Sequence, residues 1–129
     1  VVRDGMPVRM SDYAVSCDAP DYAAPTILIV GTSMSAGKTV TGKLACRLLA
    51  EEGQRVIGLK ITGAGRYRDI IGFKKSGAAE IYDFVDAGLP STVVPETEFR
   101  AAVRPLLRLI GSRPENTPVS LGQHAVHLA

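Results

Sequence analysis

The chain has 129 residues, 46% hydrophobic and 22% charged, with a formal net charge of +2. That is one lean domain, able to bury roughly two-thirds of its unfolded surface. No apolar run approaches the ~20 residues of a membrane-spanning helix. No signal-peptide pattern opens the chain, and two cysteines are too few for a disulfide framework.

Residues 1–24 carry Pro7, Pro20 and four aspartates with no sustained period, and read as an arm or linker. Residues 26–30, Thr-Ile-Leu-Ile-Val, are a continuous apolar run that predicts a strand buried on both faces of a parallel sheet. Gly31 ends it. Lys38 to Glu52 predict a helix, with Val40, Leu44, Ala45, Leu48 and Leu49 on one stripe and Gly53 at its C-terminus. Residues 55–61 predict a second strand, followed by the loop 62–69. Residues 70–76 fit neither period, and 77–87 read as a helix with Ala78, Ile81, Tyr82 and Val85 on one face. Ser91–Val94, between Pro90 and Pro95, predicts a short third strand. Phe99, Val103, Leu106, Leu107 and Ile110 form a helical stripe, within which Pro105 predicts a kink or restart. Residues 112–129 read as an irregular tail. Alternating strands and helices predict an α/β fold with a parallel sheet and right-handed crossovers. The domain proper spans 25–111.

Charge is unevenly spread. Residues 31–75 hold nine Lys/Arg against three Asp/Glu, and nine of the thirteen glycines fall between 31 and 77. A basic, glycine-rich segment suits an anionic partner, because glycine lets the backbone approach a phosphate closely. The informative stretch is Gly31-Thr-Ser-Met-Ser-Ala-Gly37-Lys38-Thr39, which follows a strand and opens a helix. That is the context of a phosphate-binding loop: backbone N–H groups curl round the anion and the helix N-terminus adds a positive dipole end. Thr32, Ser33, Met34, Ser35, Ala36, Gly37, Lys38, Thr39 and Val40 are the expected nucleotide-binding residues. Lys38 would reach the terminal phosphates and Thr39 would offer its hydroxyl to Mg²⁺. One departure stands out. Thr32 occupies the place of the usual first glycine, and Gly31 lies one residue earlier.

The string Gly-Thr-x-x-x-x-Gly-Lys-Thr after an apolar strand resembles dethiobiotin synthetase and the related cobyrinic acid amide synthase group. In that family a lysine ends the next strand, and Leu59-Lys60-Ile61-Thr62-Gly63 is similar. Thr62-Gly63 and Asp83-Phe84-Val85-Asp86-Ala87-Gly88 are also similar to an uncharacterised P-loop family linked to D-glutamate N-acetylation. The resemblance implies a three-layer P-loop NTPase-like fold and ATP- and Mg²⁺-dependent ligase or transferase chemistry on a small carboxylate or amine. It makes Lys38 and Lys60 the catalytic candidates, with Lys60 stabilising a substrate anion or the developing phosphate charge. The length matches about three strand–helix units, half of what many such enzymes use, so the chain reads as the first half of such a fold; whether it is a fragment of a longer protein is left open by the sequence.

A metal needs more than Thr39, and no apolar strand after residue 95 ends in an acid. Asp69 is the best remaining candidate. Asp83 and Asp86 read as solvated residues of a helix. Arg66 and Arg68 fit either an anion clamp or a solvated surface. His124 and His127, without an acid or cysteine nearby, are poor zinc ligands. Cys46, among leucines, reads as a core residue. Nucleic acid is not expected, because no aromatic residues interleave the basic cluster. The expected compartment is the reducing cytoplasm. A homodimer is expected from an unclosed sheet edge and the habit of the family. The alternative function is a nucleotide-binding sensor or assembly module without turnover.

Overall fold

The computed structural model describes residues 2–22, 24–31, 33 and 36–113, together with the backbone of 124–128. A short antiparallel hairpin comes first: β1 (Val2–Arg3) pairs with β2 (Met6–Pro7). Asp4 and Gly5 turn it, with φ of 52° and 79°. Two positive φ values in a two-residue loop match the twist of the strands, and Asp-Gly is a preferred pair for them. A 3₁₀ turn follows at Met10–Tyr13. The arm expected to be irregular therefore carries local structure that its Asp-Gly dipeptide could have signalled.

The domain proper is α/β, with β3 (Thr26–Ile29), α1 (Lys38–Glu51), β4 (Val56–Lys60), α2 (Tyr67–Lys75), β5 (Glu80–Asp83), α3 (Glu96–Gly111) and β6 (His124–Leu128). Strands β3 to β6 form one sheet in the order β3-β6-β4-β5, every neighbouring pair parallel. Among the described residues, no helix is long and apolar enough to cross a membrane.

Strand β4 sits inside the sheet and every residue of it is buried. Its side chains alternate between two cores. Ile57 and Leu59 join Phe84, Leu89, Val103, Leu106 and Ile110, so this face packs against α3. Val56 joins Cys46 of α1 and Phe73 of α2 on the other face. Gly58 points the same way as Val56. A Cβ there would lie 2.8 Å from Phe73, so the glycine lets α2 lie close against the sheet. The expected burial of Cys46 is seen; it is fully inaccessible.

Four predicted elements differ. The apolar run 26–30 forms a strand, but at the edge of the sheet, with Leu28 56% and Val30 69% exposed. The residues expected to be an irregular tail supply β6, which takes the inner position between β3 and β4. The segment expected to be a helix over 77–87 contains β5 instead. Ile81 packs towards Phe73 and Tyr82 towards α3, an alternation that a helical reading of the same residues hides. Residues 91–94 form no strand; Ser91 Oγ accepts from the Val93 N–H at 3.1 Å, a local turn between two prolines. Residues 67–75, left partly unassigned, form α2. Pro105 lies within one continuous α3 rather than dividing it.

Helix α1 buries only part of the stripe expected: Ala45 and Leu49 pack against the core beside Cys46, but the stripe's other three residues do not. Gly42 and Cys46 are buried, while Val40, Leu44 and Leu48 are 70%, 54% and 53% exposed. Two small residues let the helix approach the sheet, and this outweighs the larger apolar residues on its other side.

Candidate functional site

Because the sheet strands are parallel, their C-terminal ends lie along one edge. The loop before α1, the residue Lys60 and the residue Asp83 all occupy that edge. Ligands of open α/β sheets bind there.

The first part of the site is the turn from β3 into α1. Gly37 precedes the helix at φ 79°, a left-handed conformation that favours glycine. Lys38 folds back over the loop, and its Nζ donates to the Ser33 carbonyl at 2.8 Å. Gly31 makes room for this path. A Cβ at Gly31 would sit 3.0 Å from both Lys38 Cγ and Ala36 Cβ. The Ala36 N–H donates to Ser33 O at 3.3 Å, which tightens the turn. Among the described residues, no side chain caps α1, and no acid stands in its first turn. Its leading N–H groups and positive dipole end are left without a negative partner from those positions. Thr39 is half-buried and Val40 exposed. Thr32, Met34 and Ser35, also expected in the loop, lie outside the described residues.

The second part is Lys60, the last residue of β4 and only 7% exposed. Its ammonium donates to Asp69 Oδ2 at 2.6 Å and to the Ala64 carbonyl at 2.6 Å. Gly63, at φ 96°, turns the loop back so that Ala64 closes over the lysine. Asp69 comes from the first turn of α2, which lies on the Val56–Gly58 face. Lys60 belongs to the same face by alternation, as does the start of α1. The two residues expected to act separately, Lys60 on substrate and Asp69 on metal, are thus paired with each other.

Asp83 is the residue the sequence reading missed. It ends β5 beside Lys60 in register and is 5% exposed, not solvated. Its Oδ1 accepts from the Val85 N–H at 2.8 Å, and Asp86 Oδ2 accepts from the Asp83 N–H at 2.8 Å. Burial raises the Asp83 pKa, and Asp86 adds to this, while the hydrogen bonds and the Lys60 charge oppose it. The period-2 string Glu80-Ile-Tyr-Asp83 was the available signal.

Arg66 and Arg68 are exposed where the chain enters α2, and among the described residues neither has an ion-pair partner. His124 and His127 lie in β6. Among the described residues, no three His, Cys, Asp or Glu side chains are grouped to hold a metal ion. The turn before α1 and Lys60 are separated by β6, two strand spacings or about 10 Å. On the opposite face of the sheet, an open groove of about 650 Å³ runs between Ile61 and α3. Phe99, Val103 and Leu107 line it, with Glu96, Arg100 and Arg104 around them.

No protein-family model, curated protein or solved structure matches the chain.

Proposed function

We propose that this chain is a three-layer P-loop NTPase-like domain that binds ATP through the turn between β3 and α1. The observation that carries the reading is the path of Lys38, folded back towards Ser33 past Gly31, at the start of a helix that no side chain caps among the described residues. Such a turn offers an anion backbone donors, a helix dipole and a mobile point charge together. Lys38 would exchange the Ser33 carbonyl for a phosphate oxygen, a stronger, charge-assisted partner. Thr39 is the residue of this turn able to reach a Mg²⁺ ion that accompanies the phosphates. When bound, Mg²⁺ would neutralise charge on the phosphates.

Lys60, on the same sheet edge and face, supports ligase or transferase chemistry on a small carboxylate or amine. Its ammonium would stabilise negative charge on a substrate or a transferring phosphoryl group. A second reading, a nucleotide-binding module without turnover, is favoured by one observation: Lys60 and Asp69 already satisfy each other.

The test is thermal melting with and without ATP and Mg²⁺. A ligand at a hundred times its Kd stabilises the folded state by about 2.7 kcal/mol. The wild-type chain should show a clear rise in Tm, and Lys38→Ala should lose most of it. A wild-type chain indifferent to ATP, or a Lys38→Ala chain that responds fully, would refute the assignment. ATP turnover measured with small carboxylates and amines then separates an enzyme from a module.

A further inference from the structure

We propose that Asp69 is a specificity-determining residue: an internal anion that competes for Lys60 and so holds down the site's preference for a nucleotide carrying a γ-phosphate. The inference rests on the ATP-binding reading above. Its basis is the double engagement of the Lys60 ammonium, by Asp69 Oδ2 and by the Ala64 carbonyl, each at 2.6 Å. The lysine is 7% exposed, so a ligand cannot approach it while both contacts hold.

The alternatives open to Lys60 are few. Asp83 lies next to it in register but makes no ion pair with it; the backbone N–H of Val85 engages that carboxylate instead. Asp69 is therefore the counter-charge that a ligand must replace. Lys60 and the first turn of α1 share one face of the sheet, about 10 Å apart by strand spacing, with β6 between them. A phosphate chain seated on the α1 turn extends towards Lys60 with its terminal group. A triphosphate delivers a highly charged end there and compensates the loss of Asp69. A diphosphate ends one phosphate short and leaves the Lys60–Asp69 pair intact. The pair thus acts as a toll on any ligand that reaches Lys60, and only the longer anion offsets it. Releasing Lys60 also frees Ala64, so the loop 61–66 loosens when ATP binds and stays closed with ADP.

The experiment compares ATP and ADP binding by calorimetry for the wild-type chain, Asp69→Asn and Lys38→Ala. It is run in excess EDTA, so that a metal-holding role of Asp69 does not enter. Asparagine keeps the shape of Asp69 and removes its charge. Asp69→Asn should raise the preference for ATP over ADP by about tenfold, the lower end for a hydrogen bond to a charged group. Hydrogen exchange of the wild-type chain supplies a readout that needs no variant: residues 61–66 should exchange faster with ATP than with ADP. An unchanged or reduced ATP preference in Asp69→Asn would overturn the inference, as would equal exchange with both nucleotides. If both nucleotides bind in a Lys38-dependent way while those results hold, the Asp69 role alone falls. If the wild-type chain binds neither nucleotide, the ATP-binding reading falls and takes this inference with it.

Discussion

Replacing Gly58 with alanine tests how closely α2 is set against the sheet. Gly58 lies in the middle of β4, and a Cβ built there is 2.8 Å from both Cβ and Cδ2 of Phe73 and 3.0 Å from its Cγ. Ordinary contact begins several tenths of an ångström further out. Phe73 is fully buried, and its Cβ is fixed to the helix backbone, so no rotamer change relieves the clash. The whole of α2 must lift. Forcing an extra carbon into a packed core costs about 1–3 kcal/mol. Alanine in a strand recovers roughly 0.5–1 kcal/mol of backbone entropy relative to glycine. The net expectation is a loss of about 1–2 kcal/mol, a fall in Tm of roughly 3–10 °C for a domain of this size. Urea denaturation should show a lower midpoint with an unchanged slope. The lift also carries Asp69 away from Lys60, which it now meets at 2.6 Å. The packing would be refuted by a Gly58→Ala chain as stable as the wild type or more so, because alanine would then fit where Phe73 is said to stand.

Asp83→Asn should stabilise the chain at neutral pH. Burial raises the wild-type carboxyl above its ordinary value of 3.8. Such a group stabilises the fold in its protonated form: the contribution is complete below the unfolded pKa and is lost as pH rises through the folded one. Asparagine removes that loss, so the gain in Tm should be present at pH 7 and vanish below pH 3.8; a gain that persists in acid would refute the cause. Cys46 is fully inaccessible, with burial pushing its thiol up to about 11, whereas Cys17 is half-buried. At pH 8 a thiol reagent should therefore label one cysteine in the native chain and the second only on unfolding. Two thiols of equal native reactivity would contradict the packing of α1.

The parts of the fold legible in the residues are those fixed by contacts near in sequence. The helix starting at Lys38 follows from a glycine turn and good helix formers. Strand β4 follows from a run of apolar residues ended by a charge. The turn before α1 was legible for the same reason, since its glycines and lysine act on neighbours a few residues away. Lys60 could be placed at a strand end, but its partner could not, because Asp69 reaches it only once Phe73 sets α2 against Gly58.

The rest was decided by pairing between distant segments. His124-Ala-Val-His-Leu128 has no period strong enough to announce a strand, yet it supplies the inner β6 through backbone hydrogen bonds, which any sequence can make. Its entry leaves Thr26–Ile29, the more apolar run, at the edge. Ala78, Ile81, Tyr82 and Val85 satisfy a helical spacing, yet the free edge of β4 draws Glu80–Asp83 into a strand and so buries Asp83 beside Lys60. Local propensity is worth tenths of a kcal/mol per residue, and a sheet partner with two cores to fill outweighs it. The residues alone thus point to a glycine- and lysine-bearing turn between strand and helix. The order of strands, the Lys60–Asp69 pair and the burial of Asp83 exist only because the tertiary fold brings remote backbone edges and side chains together.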